Sequence, residues 1–195
     1  MLFRSGVSVD VTGVGTKRWL LAAASYGGDK AIFGYGKVSD SAGYYYNLTN
    51  LVTNTGTVGN DVTGVGSARY GLAAAGYGSD KAIFGYGYSP SSGFLSVTNL
   101  VSNTGVVSND TTGVGTVRQN LAAAGYGSDK AIFGYGNKTA TNYSVTNLVS
   151  NTGVVGTDVT GVGTARYGLT AAGYGVVYAF FFSGSDGNKI GRAHV

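Results

Sequence analysis

The sequence predicts an all-β fold of β-propeller-type repeats: about three complete four-stranded antiparallel blades and a partial fourth, forming an open arc. Two sequence markers and their spacing predict it. Asp-Lys-Ala-Ile-Phe-Gly-Tyr-Gly occurs at Asp29–Gly36, Asp80–Gly87 and Asp129–Gly136. Thr-Gly-Val-Gly starts at Thr12, Thr63, Thr112 and Thr160, so successive copies are offset by 51, 49 and 48 residues. A period near fifty signifies one supersecondary unit stacked on copies of itself.

The elements follow from one unit, Thr63–Asp110. Leu72–Tyr77 reads as strand one, with copies at Leu20–Tyr26, Leu121–Tyr126 and Leu169–Tyr174. Its alanines favour helix by propensity, but the run is too short for a stable helix and is closed by glycine. Gly78–Asp80 reads as a tight turn. Strand two is Lys81–Tyr86, with Ala82, Phe84 and Tyr86 expected on one face. Strand three is about Leu95–Val101, rich in Val, Thr and Leu. Asn103-Thr104-Gly105 supplies a hairpin turn with glycine available for positive φ, and strand four is about Val106–Thr111. Small residues on strand one suit a position where strands converge. Phe33, Phe84, Phe133, Tyr35, Tyr86 and Tyr135 on strand two are expected to fill the space between blades. The fourth unit departs from the pattern, reading Val176–Gly184 where the others carry Ser-Asp-Lys-Ala-Ile-Phe-Gly-Tyr-Gly; Tyr178–Phe182 suits an apolar strand two or a misread segment.

An Arg before the first strand, a small-residue strand, a turn and a strand ending in a glycine pair resemble the kelch repeat. Arg18, Arg69, Arg118 and Arg166 match its Arg. Gly34-Tyr35-Gly36, Gly85-Tyr86-Gly87 and Gly134-Tyr135-Gly136 stand at its double glycine, with a tyrosine inserted. The late Trp of that pattern is absent, the sole Trp being Trp19. The resemblance implies a six- or seven-bladed parent. Repeats resembling the regulator of chromosome condensation have a similar period, but would want a Gly-His pair.

The termini match nothing in the repeat. Ile190–Val195 is what a common short-read sequencing adapter encodes in one frame, and Met1–Ser5 is what its reverse strand encodes. Residues 1–5 and 189–195 are therefore read as adapter-derived and set aside. Residues 6–188 form one repeat domain, with units at about 6–56, 57–105, 106–153 and 154–188. The thirteen Lys and Arg, less Arg4, Lys189 and Arg192, leave ten against nine Asp. The basic pI then says nothing about nucleic acid, which is not an expected partner. The only His and Met, His194 and Met1, lie in the same ends, and the chain has no Cys or Glu. No apolar run is long enough to span a bilayer, so membrane insertion is not expected.

Chemistry at neutral pH usually draws on His, Cys, Glu, Asp or Lys; residues 6–188 offer only repeated Asp and Lys. Asp10, Asp61, Asp110 and Asp158, and the turn residues Asp29, Asp80 and Asp129, read as acceptors for backbone N–H groups. Ca²⁺ would need six to eight oxygens, and no EF-hand or RTX-type cluster is present. Gly-Val-Gly precedes a strand rather than a helix, which argues for a structural turn rather than a phosphate loop. No catalytic residue, metal or cofactor is expected, and the chain is read as a non-enzyme.

The expected function is a binding or scaffold module. Arg18, Arg69, Arg118 and Arg166 either bond within their own blade or converge on an anionic ligand. The repeats differ most between strands two and three, at Lys37–Gly43, Tyr88–Gly93 and Asn137–Asn142. Lys37, Tyr88, Ser89, Asn137 and Lys138 are therefore candidate contacts for a protein or glycan, since variable loops on a constant scaffold build binding surfaces. The rivals are a purely structural array of a surface or viral appendage, and part of a kelch-propeller enzyme whose site lies in missing blades. Composition leans towards an extracellular or viral surface. Uncovered blade faces are expected to drive self-association.

Overall fold

The computed structural model describes residues 12–39 and 44–187. The expected adapter segments and Asp10 lie outside these residues. The described chain is all-β, without helices. The first unit gives β1 (Ala22–Tyr26), β2 (Lys30–Gly34) and β3 (Thr49–Val52). The second gives β4 (Ala73–Tyr77), β5 (Lys81–Gly85), the short hairpin β6 (Tyr88–Ser89) and β7 (Gly93–Phe94), and β8 (Thr98–Val101). The third repeats this as β9 (Ala122–Tyr126), β10 (Lys130–Gly134), β11 (Asn137–Lys138), β12 (Thr141–Asn142) and β13 (Thr146–Val149). The fourth contributes β14 (Thr170–Tyr174) and β15 (Tyr178–Phe182), so its divergent apolar run does form strand two. The main sheets are β1-β2-β3, β4-β5-β8 and β9-β10-β13, with β14-β15 as a two-stranded fourth. All pairing is antiparallel, and the register repeats: Tyr26 faces Lys30, Tyr77 faces Lys81 and Tyr126 faces Lys130.

Strand one starts one or two residues later than its sequence suggests. The residue at its head is left-handed in every unit, with φ of 53° at Leu20, 63° at Gly71, 52° at Asn120 and 63° at Gly168. That breaks the extended run. It also aims the backbone at the neighbouring unit: the Gly71 N–H donates to the Leu20 carbonyl, Asn120 to Gly71 and Gly168 to Asn120, at 3.0, 2.7 and 2.8 Å. Strand four is likewise not a continuous strand. It survives as bridge pairs such as Val101–Val107 and Thr98–Thr111, in which four steps along one segment match three along the other. The extra residue bulges the segment away from a regular ladder. The turn before it is as expected: Gly105 has φ of 85° and donates its N–H to the Ser102 carbonyl at 3.0 Å.

The hydrophobic cores lie between units. Ala22, Tyr26, Ile32 and Tyr35 of the first unit pack with Leu72, Ala82 and Phe84 of the second. Ala75, Tyr77, Ile83 and Tyr86 of the second pack with Leu121, Ala131 and Phe133 of the third. Ala122 and Tyr135 pack with Leu169, Ala171 and Phe181 of the fourth. The strand-one segments lie side by side. Their approach is backbone to backbone: a Cβ added at Gly76 would sit 3.2 Å from the Ser25 carbonyl oxygen.

The aromatics of strand two thus fill the inter-unit space, but Tyr86 does not share a face with Ala82 and Phe84. Ala82 and Phe84 turn to the first unit; Tyr86 turns with Ile83 to the third. The cause is the backbone of Gly-Tyr-Gly. Tyr35, Tyr86 and Tyr135 have φ of 64°, 65° and 63°, and a left-handed residue ends the strict alternation of sides. The ring of each tyrosine therefore reaches forward to the next unit's phenylalanine. The centroids are 5.1 Å apart for Tyr35–Phe84, 5.2 Å for Tyr86–Phe133 and 5.3 Å for Tyr135–Phe181. The preceding residue must be small, because a Cβ at Gly85 would meet the Phe133 ring at 2.8 Å.

Candidate ligand-binding face

The four repeated arginines stand just before strand one. Arg69 and Arg118 are wholly buried and the Arg18 side chain is 1% exposed; Arg166 is half-buried. Arg69 donates to the Asn99 side-chain oxygen at 2.6 Å and to the Ser67 carbonyl at 3.1 Å. Arg118 donates to Asn147 at 2.7 Å, to the Tyr135 carbonyl at 2.7 Å and to the Thr116 carbonyl at 2.9 Å. The guanidinium groups of Arg69, Arg118 and Arg166 also lie over the tyrosine of the preceding unit. The separations are 4.3 Å for Arg69 on Tyr35, 4.2 Å for Arg118 on Tyr86 and 5.4 Å for Arg166 on Tyr135. Burial lowers the pKa of Arg18, Arg69 and Arg118. It pushes the phenols of Tyr35 and Tyr86 up to about 12, against the pull of the adjacent Arg69 and Arg118 charges. These groups are joined to the scaffold rather than gathered round a common space.

Asp61, Asp110 and Asp158, each before a Thr-Gly-Val-Gly, do accept backbone N–H bonds, but from far along the chain. Asp61 accepts from the Thr16 N–H at 2.9 Å, Asp110 from Ser67 at 3.0 Å and Asp158 from Thr116 at 3.0 Å. The hydroxyls of the same three residues also donate to them. Asn50, Asn99 and Asn147 of strand three each add a bond at 2.9 Å. The Thr16 bond is the chief cause holding the Asp61 carboxyl below the usual range. Burial pushes Asp110 and Asp158 up, but these bonds and the nearby arginine outweigh it and both end low. The turn after Gly-Val-Gly therefore does hold an anion, and the anion is the protein's own carboxylate. Gly15, Gly66 and Gly115 leave room for it.

At the hairpin end of strand one, Asp29, Asp80 and Asp129 pair with Lys30, Lys81 and Lys130 at 2.9, 2.7 and 2.9 Å. A groove of about 360 Å³ runs across these turns, lined by Ser25, Gly76, Ser79, Lys81, Ser128 and Lys130. Among the described residues no group of three or more His, Cys, Asp or Glu could hold a metal ion.

The variable loops lie at the other end of strand one. Each folds back on the residue that follows the repeated arginine, through the pairs Trp19–Lys37, Tyr70–Tyr88, Gln119–Asn137 and Tyr167–Ser185. Lys37, Ser89 and Asn137 are almost wholly buried at 5%, 2% and 9%, whereas Tyr88 is half-buried and Lys138 exposed. Lys37 Nζ lies 4.3 Å from the Trp19 ring and 4.0 Å from that of Tyr70. Rings continue from Tyr45 through Tyr70 and Tyr88 to Phe94, with centroids 5.5, 5.6 and 5.0 Å apart. Trp19 and Tyr44 remain about half exposed, at 47% and 49%. In the third unit amides replace the rings: Asn120 donates to Asn137 at 3.1 Å. Trp19, Tyr70 and Gln119 are thus part of this face, although only the loops themselves stand out by sequence. The signal was their variation at a fixed place beside an invariant Arg.

Comparison with protein-family models and with curated proteins gave no match. No helix among the described residues is long and apolar enough to cross a membrane.

Proposed function

We propose that this chain is a non-enzymatic binding module, a kelch-like propeller arc of three blades and a partial fourth, that recognises a protein or glycan through its strand two–three loops. The observation that carries this reading is the division of labour along one unit. The tyrosine, phenylalanine, arginine and aspartate of the constant segments are consumed in holding neighbours together. The loop face changes chemistry from unit to unit, from Trp19, Lys37 and Tyr45 through Tyr70, Tyr88 and Phe94 to Gln119, Asn137 and Asn142. Half-exposed aromatic rings beside polar groups suit ligands with one apolar surface and several hydroxyls or amides.

The test is a screen of the chain against immobilised glycans and peptides, repeated with Trp19→Ala and with the Tyr88–Gly93 and Asn137–Asn142 loops exchanged. The expected result is a ligand whose capture is lost or redirected by both changes while the melting temperature holds. A ligand indifferent to both would overturn the reading. The purely structural alternative draws on the same inter-unit joints, and capture of no ligand at all would favour it.

A further inference from the structure

We propose that the leading face of the first unit is a socket for one tyrosine side chain, presented in a Gly-Tyr-Gly turn by another repeat unit of this type. The joint that would form is seen three times within the chain. In each, a tyrosine of one unit rests on a phenylalanine of the next and beneath the arginine of that next unit. Its hydroxyl donates to the valine carbonyl of the next Thr-Gly-Val-Gly, as from Tyr35 to Val65, Tyr86 to Val114 and Tyr135 to Val162, at 3.3, 3.2 and 2.7 Å.

The first unit has the receiving half of this joint, and among the described residues no tyrosine fills it. Ala31 and Phe33 are only half-buried, whereas their counterparts Ala82, Phe84, Ala131 and Phe133 are all at 0%. Ala23 and Ser25 of β1 are exposed. Arg18 is already set: it donates to Asn50 and to the Tyr35 carbonyl and lies 3.7 Å from Asp61, yet among the described residues no ring lies under it. Residues 1–11 contain no tyrosine.

The fourth unit cannot supply the missing ring. Its backbone keeps the turn, with φ of 57° at Ser183 and 93° at Gly184 against 64° at Tyr35 and 92° at Gly36, but the side chain is a serine. The tyrosines at the corresponding positions of a second copy, Tyr35, Tyr86 and Tyr135, are engaged in that copy's own joints. The socket therefore selects a unit that ends in Gly-Tyr-Gly and passes over the trailing end of this chain. A contact of that kind is heterologous, joining two different faces.

Restoring the ring tests the socket. Sedimentation of the intact chain is compared with that of Ser183→Tyr, Ser183→Leu and the double variant Ser183→Tyr/Phe33→Ala, with circular dichroism to check that each is folded. Ser183→Tyr is expected to form concentration-dependent oligomers with affinity raised about tenfold or more over the wild type. Ser183→Leu adds apolar surface without a ring for the guanidinium and is expected to sediment as the wild type does. The double variant should lose the gain. The proposal is overturned if Ser183→Tyr matches the wild type, if Ser183→Leu associates equally well, or if the gain survives loss of Phe33.

Discussion

The joint between the second and third units and the joint between the third and fourth use the same residue types, yet they are not equally built. Tyr86 lies 4.2 Å from an Arg118 that is wholly buried and bonded to Asn147, Tyr135 and Thr116. Tyr135 lies 5.4 Å from an Arg166 that is half-buried and that, among the described residues, bonds to the Thr164 and Ser183 carbonyls, at 3.2 and 3.3 Å. The difference traces to strand three. Asn147 on β13 fixes the Arg118 guanidinium and Asp158 lies beyond it; among the described residues, Arg166 has no such pair. The ring–ring contact is almost unchanged between the two joints, at 5.2 and 5.3 Å. Aromatic packing alone therefore does not make a tight joint. The arginine must be pinned from behind.

The largest expected effect comes from removing the ring. Tyr86→Ala should lower unfolding stability by about 3–5 kcal/mol, and Tyr135→Ala by about 1–3 kcal/mol, measured by chemical denaturation. Equal losses would mean that the pinned arginine adds nothing to the joint. Next comes Arg118→Met, which keeps the bulk but leaves the buried oxygen of Asn147 and the Tyr135 carbonyl without a donor. A loss of about 2–4 kcal/mol is expected, against less than about 1 kcal/mol for Arg166→Met.

pH tests the first two joints directly. Tyr35 and Tyr86 titrate near 12 when folded and near 10 when unfolded, so their contribution is full below pH 10 and is lost as pH rises through 12. Alkaline melts followed by tyrosinate absorbance should show the first two joints failing in that window; Tyr86→Phe should narrow the loss. The smallest effect is expected at the carboxylates. Asp110 and Asp158 are held below the ordinary range, so their contribution is present above about pH 4 and fades as pH falls through their folded values. Asp158→Asn should flatten that acid limb while costing about 1 kcal/mol at neutral pH.

Strands one and two were legible in the sequence because Ala-Ala-Ala-Gly-Tyr and Lys-Ala-Ile-Phe-Gly carry their turn between them. The facing of Tyr86 was not, because side alternation presumes an extended backbone and the left-handed tyrosine departs from it. Strand four was legible as a run of β-formers but not as a bulged one, since one extra residue shows only once its partner is known. The pairing of Asp110 with Ser67 joins residues 43 apart, a separation no local turn pattern reports. The loop face was half legible: the loops vary visibly, whereas the positions they close on are single residues hidden beside a constant arginine.

That every core is shared between two neighbours has a consequence for how such a gene can change length. Removing one whole repeat by recombination would bring Tyr35 against Phe133 in place of Phe84, with Arg118 above it in place of Arg69. The new seam would be chemically the same as the one it replaced. Losing part of a repeat would instead leave a tyrosine with no phenylalanine to meet. Arrays of this kind can therefore be inherited in different lengths without refolding cost, so long as they are cut and joined in whole multiples of the period.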